Sequence, residues 1–137
     1  MIQSTLAQID LLRVVFAAVA GVVVGAVWYL PGVFGRTWKE ALGGGPQRRL
    51  GNPRVVVVVR SLATAFTALA LAIMIVGSGA STLAGALRLG LAVSVGVVVP
   101  TIISDYLFAG WPPRLVLITA GHRVVHIMVM CAVLGAD

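Results

Sequence analysis

Residues 115–134 read LVLITAGHRVVHIMVMCAVL, and this stretch decides the fold class. It carries one formal charge, Arg123, with His122 beside it and His126 one helical turn on. As a helix rising 1.5 Å per residue it covers roughly 30 Å, the thickness of a bilayer's hydrocarbon core. A cation at that depth costs at least a few kcal/mol on insertion scales, so it calls for a specific partner or a function.

Working outward, three further segments have the same character, at about residues 11–30, 55–76 and 82–104. The first ends at Trp28-Tyr29-Leu30-Pro31, where a residue without an N–H stops the helix. The run from Ser61 to Leu87 has no charge and is too long for one span, so the chain must turn tightly after Gly77-Ser78-Gly79. Pro112-Pro113 opens the fourth span. The only long connection, residues 31–54, holds a possible short interfacial helix at 33–42 and a break at Gly43-Gly44-Gly45-Pro46. The expected fold is all-α: one domain over residues 1–137, an integral membrane four-helix bundle.

Composition supports that class. Hydrophobic residues are 60% of the 137 and charged ones 10%, against ~45–50% and ~25% in soluble domains. The net charge of +6 sets ten Lys and Arg against Asp10, Glu40, Asp105 and Asp137. Loop one holds Arg36, Lys39, Arg48, Arg49 and Arg54, and loop three adds Arg114, whereas the opposite side offers only Arg13 and Arg88. The positive-inside rule then places loops one and three in the cytoplasm and both termini outside, in the inner (plasma) membrane. Basic loops explain the charge without a nucleic-acid partner.

The Trp and Tyr residues, Trp28, Tyr29, Trp38, Tyr106 and Trp111, gather on the loop-one and loop-three side, as interfacial anchors do, with a ligand-lining role open for one or two of them. Cys131 stands alone inside a span, so no disulfide framework or zinc-type pair is expected. The N-terminal span has no cleavage pattern after it and is expected to stay.

Helical spacing groups the polar residues of the spans on faces. Span two aligns Arg60, Thr64 and Thr67. Span three aligns Gly90, Ser94, Thr101 and Asp105, with Pro100 depriving the Gly96 carbonyl of its helical donor. Span four aligns Thr119, His122, His126 and Met130, with Arg123 adjacent. Serine and threonine in such helices usually bond their own backbone or join helices. Arg60 is shallow enough to snorkel, but Arg123 is not. Its partner is then helix-end carbonyls, a neighbouring subunit, or an anion such as a lipid headgroup. The His122, His126 and Met130 set also has the spacing and softness for copper(I) or haem iron, although interhelical hydrogen bonding accounts for the histidines equally.

Two ridges of small residues, Ala17-Gly21-Gly25 and Ala86-Gly90-Ser94, let helix backbones approach closely, within the bundle or between protomers. Gly21-Val-Val-Val24 also echoes Gly96-Val-Val-Val99, which a two-helix repeat or plain valine richness would produce.

Residues 28–38, WYLPGVFGRTW, resemble the opening motif of the bacterial family called domain of unknown function 1761. Residues 107–126, LFAGWPPRLVLITAGHRVVH, are similar to that family's last span. The resemblance covers most of the chain. It implies four spans in a small integral membrane protein and brings no activity, cofactor or catalytic residue. Where the family often has an aromatic after Ala-Gly, this chain has His122.

The expected function is channel- or transporter-like, or the binding of an anionic lipid or small anion, organised around Arg123 and the polar helix faces. Its partners would be the bilayer and further copies of the chain in a homo-oligomer. The competing readings are a haem or copper protein using His122, His126 and Met130, with no cofactor otherwise expected, and an accessory subunit of a larger membrane complex. With four carboxylates and no paired acids or nucleophile–base arrangement, an enzyme is not expected.

Overall fold

The computed structural model describes residues 2–43 and 52–136; Arg48, Arg49, the Gly44-Gly45-Pro46 part of the loop-one break and Asp137 lie outside the described residues. Helix α1 (Ile2–Ala7) precedes α2 (Leu11–Trp28), and a π-helical turn at Pro31–Gly35 leads into α3 (Arg36–Ala41). The remaining helices are α4 (Pro53–Gly77), α5 (Leu83–Phe108) and α6 (Pro113–Gly135). The four longest of them, α2, α4, α5 and α6, are long and apolar enough to cross a membrane. Among the described residues there is no strand. The expected spans are therefore present, each within a few residues of its expected ends, and the short loop-one helix is split into a π turn and α3.

Local chemistry sets the boundaries. Asp10 caps α2 by accepting from the N–H groups of Leu12 and Arg13. Asn52 caps α4 and Thr82 caps α5 in the same way. Helix α4 ends with Ala80 N–H donating to Ile75 and Gly79 N–H to Val76. Helix α5 repeats the pattern, with Trp111 N–H donating to Tyr106 and Gly110 N–H to Leu107. Both are Schellman closures, which need a left-handed residue, and the glycines supply it at φ +72° (Gly79) and +78° (Gly110). The turn expected after Gly77 is one of these closures. Inside α5, Pro100 is accommodated by a π-helical turn over Ser94–Val98, in which Val99 N–H reaches back to Ser94.

Helix α6 is the axis of the molecule. Half of its most apolar window is buried (50%), against 17% to 22% in the other three spans. Both small-residue ridges serve it. Ala17 and Gly21 are buried where α2 meets α6, and Ala86, Gly90 and Ser94 are buried where α5 meets it. A Cβ on Gly90 would lie 2.7 Å from Cys131 Sγ, and Gly135 lies against Ala86 in the same manner. The ridges thus pack within the bundle. Gly96 faces open space while Gly21 is enclosed, so the two glycine–valine segments occupy different environments.

The outer surface is apolar, with Phe16, Phe66, Val97 and Leu117 exposed. Such a surface suits hydrocarbon rather than water. Helix α4 buries side chains against the bundle only from Thr64 onward. Its buried residues are Thr64, Ala68, Leu71, Ala72 and Ile75, and nothing between Pro53 and Ala63 is buried. The stretch Val99–Phe108 of α5 likewise buries no residue.

Candidate functional site

Helices α2 and α6 run antiparallel, which brings the Gly21/Gly25 pair opposite the His126/His122 pair. Both pairs are four residues apart, so they mesh turn by turn. A Cβ on Gly21 would lie 2.9 Å from His126 Nε2 and 3.1 Å from Met130 Sδ, and one on Gly25 would lie 3.4 Å from His122 Nε2. At Gly21 only a residue without a side chain allows the imidazole to lie this close to α2. The two rings are 5.3 Å apart and are 2% (His122) and 3% (His126) exposed.

The rings have few polar partners. His126 Nε2 is 3.5 Å from the Thr64 hydroxyl of α4. His122 Nε2 and His126 Nδ1 are buried without a hydrogen-bond partner. A buried polar nitrogen left unpaired is costly, and such groups concentrate where a ligand or water belongs.

On the loop-one side the pair is roofed by aromatic rings. Tyr29 lies 5.1 Å and Trp28 6.1 Å from His122, ring centre to ring centre. Trp28 stacks on Phe34 at 4.5 Å and donates its indole N–H to the Ile118 carbonyl at 3.2 Å. Tyr29 meets Trp38 edge to face at 5.6 Å. Three of the expected interfacial anchors therefore form a layer over the histidines. The buried Thr119 lies beside Tyr29.

Beneath this layer a pocket of about 350 Å³ opens beside the first half of α4. Its polar lining is Tyr29 from α2's end, Arg60, Ser61 and Thr64 from α4, and His122, Arg123 and His126 from α6. Both arginines are exposed at its rim, and the Arg60 guanidinium lies over the Tyr29 ring, 5.4 Å from its centre. No carboxylate lines it. Arg123 is ten residues into α6, about 15 Å along the axis, and Arg60 seven residues into α4, about 10 Å. Below His126 the polar lining stops. Ala17, Ala68, Leu71, Ile127 and Met130 fill the core from there on.

The structure thus gathers Arg60, Thr64, His122, Arg123 and His126 and leaves the other candidates elsewhere. Thr67, Ser94 and Thr101 each donate to the carbonyl four residues back, at Ala63, Gly90 and Val97, as membrane-helix hydroxyls commonly do. Asp105 is exposed near the end of α5 and does not line the pocket. Trp111 follows α5 and does not line the pocket. Met130 is fully buried on the histidine face, and among the described residues no three of His, Cys, Asp or Glu lie together. Sequence reasoning left a ligand-lining role open for one or two of the aromatics without singling out Tyr29, and it missed Ser61 and the role of Gly21 and Gly25 in seating the imidazoles. The matched four-residue spacing of glycines and histidines was the available signal.

No curated protein and no solved structure matches the chain. The family model that does match it covers residues 12–135 and is described as "Protein of unknown function (DUF1761)". With nearly its whole length inside that match, the chain belongs to this family, and its four apolar spans agree with a multi-pass membrane protein.

Proposed function

We propose that the protein binds an anion inside the membrane, in the pocket between α2, α4 and α6. The observation that carries this reading is the pair of guanidinium groups, Arg60 and Arg123, brought from two helices to one pocket with no carboxylate in its lining. Guanidinium forks suit carboxylates and phosphates, and their attraction strengthens where water is scarce. The imidazoles and the Thr64 and Ser61 hydroxyls supply further polar contacts at the back.

Binding fits better than conduction, because the core below His126 is a plug of Ala17, Ala68, Leu71 and Met130 with no polar path through it. A transport cycle would have to open that plug. Haem or copper ligation through His122, His126 and Met130 is the second reading, and it does not account for the two arginines at the same pocket. Catalysis is not part of the proposal, and no cofactor is required by it. The same reading takes the membrane to be the inner (plasma) membrane with loops one and three in the cytoplasm, as the loop cations favour, and the unburied halves of α4 and α5 leave room for a homo-oligomer.

The test is titration of the detergent-purified protein with inorganic phosphate, followed by calorimetry. Wild type should bind, and Arg60→Gln and Arg123→Gln should each weaken binding by about tenfold, the loss of one charge-assisted hydrogen bond. Equal binding by the wild type and both variants would remove the site.

A further inference from the structure

We infer that the anion is a lipid headgroup, specifically a phosphomonoester, which enters the pocket sideways from the bilayer; this rests on the anion-binding reading above. Three features of the pocket converge on that ligand.

The first is the direction of access. On the loop-one side the rings of Trp28, Tyr29, Phe34 and Trp38 stack over His122 and restrict approach from water. On the far side the apolar core closes the pocket below His126. The remaining opening is lateral, beside the first half of α4, where nothing from Pro53 to Ala63 is buried. Val22, Ala26 and Val57 border the pocket there and are exposed, so an acyl chain leaving it would run along apolar side chains. A soluble anion would have to cross that same hydrocarbon-facing gap.

The second is depth. Arg123 and Arg60 sit about 15 Å and 10 Å from the starts of their helices, below the level where a headgroup ordinarily lies. A headgroup drawn inward between them would satisfy two cations that have no acidic partner in the pocket.

The third is the buried nitrogen. His122 Nε2 is enclosed, unpartnered and at the back of the pocket. Whichever tautomer it adopts, it can donate to a phosphate oxygen or accept from a P–OH. A phosphomonoester offers both, and its charge of about −1.5 to −2 at pH 7 matches two arginines. A phosphodiester has a single charge and no proton to give.

The experiment uses the full chain reconstituted in phosphatidylcholine nanodiscs doped with equal amounts of phosphatidate and phosphatidylglycerol, then solubilised for native mass spectrometry of retained lipid. Phosphatidate should be retained over phosphatidylglycerol by about tenfold or more. Arg60→Gln and Arg123→Gln, both at exposed positions, should abolish the preference while the protein keeps its thermal stability. His122→Gln should narrow the preference, and Val57→Trp should reduce lipid retention by obstructing the side opening. Equal retention of the two lipids would overturn the monoester assignment. Binding of inorganic phosphate with no lipid retained would overturn the lateral lipid entry and leave the anion site standing. Failure of both phosphate and lipid to bind would remove the two readings together.

Discussion

Gly21 of α2 and His126 of α6 are in such close register that a Cβ on the glycine would sit 2.9 Å from the imidazole Nε2. The same atom would lie 2.8 Å from Thr64 Cγ2, so it would be enclosed from two helices. Gly21→Ala is therefore an overpacking change, which costs about 1–3 kcal/mol and outweighs the roughly 0.5–1 kcal/mol that alanine gains over glycine in a helix. Gly25, whose nearest neighbour would be 3.4 Å away, should accept alanine with little loss. Thermal unfolding in detergent should show a lowered midpoint for Gly21→Ala and a midpoint near wild type for Gly25→Ala.

Arg13 links the two ends of the described chain. It lies near Asp10, at 3.7 Å, and donates to the carbonyls of Leu134 and Ala136 at the end of α6. Those carbonyls have no helical donor, and a cation there also favours the helix dipole. Arg13→Ala should destabilise the fold by about 1–2 kcal/mol. Since Arg13 is remote from the pocket, anion affinity should be unchanged, and a parallel loss of affinity would show that the α6 terminus and the site are coupled.

Topology is checked by a reporter fused after the last residue. The loop-one and loop-three cations predict an extracytoplasmic C-terminus. A reporter active only outside should therefore score, and a cytoplasmic signal from the same fusion would reverse the orientation.

The histidine pair is expected to bind neither haem nor copper. Protein purified after supplementation with either should show no Soret band and less than stoichiometric metal. A band or bound copper that disappears in His126→Ala would instead make His122, His126 and Met130 a metal site.

Arg123 distinguishes ligand from assembly. Because it is exposed at the pocket rim, Arg123→Leu should leave monomer stability within about 0.5 kcal/mol of wild type. The anion reading predicts lost phosphate binding with unchanged mass in native spectrometry. A shift to smaller assemblies with binding preserved would make Arg123 an intersubunit contact.

The amino-acid sequence by itself determined the class, the four spans and most of their ends. Length, hydropathy, Pro31, Gly79 and Pro113 act locally, through hydrogen bonding and backbone conformation within a few residues, so they can be read without knowing what lies alongside. It also singled out His122, Arg123 and His126, because polar groups in a hydrocarbon solvent stand out against their neighbours. The tertiary structure alone decided which helix forms the axis and which polar faces meet. Helical periodicity puts Thr64 and Thr101 on equally plausible faces, yet one lies against His126 and the other bonds its own Val97 carbonyl. That outcome depends on the antiparallel register of Gly21 and Gly25 against the histidines and on where along α4 burial begins, at Thr64. Both are properties of helix-to-helix packing, in which small residues permit contact without specifying which helix supplies it.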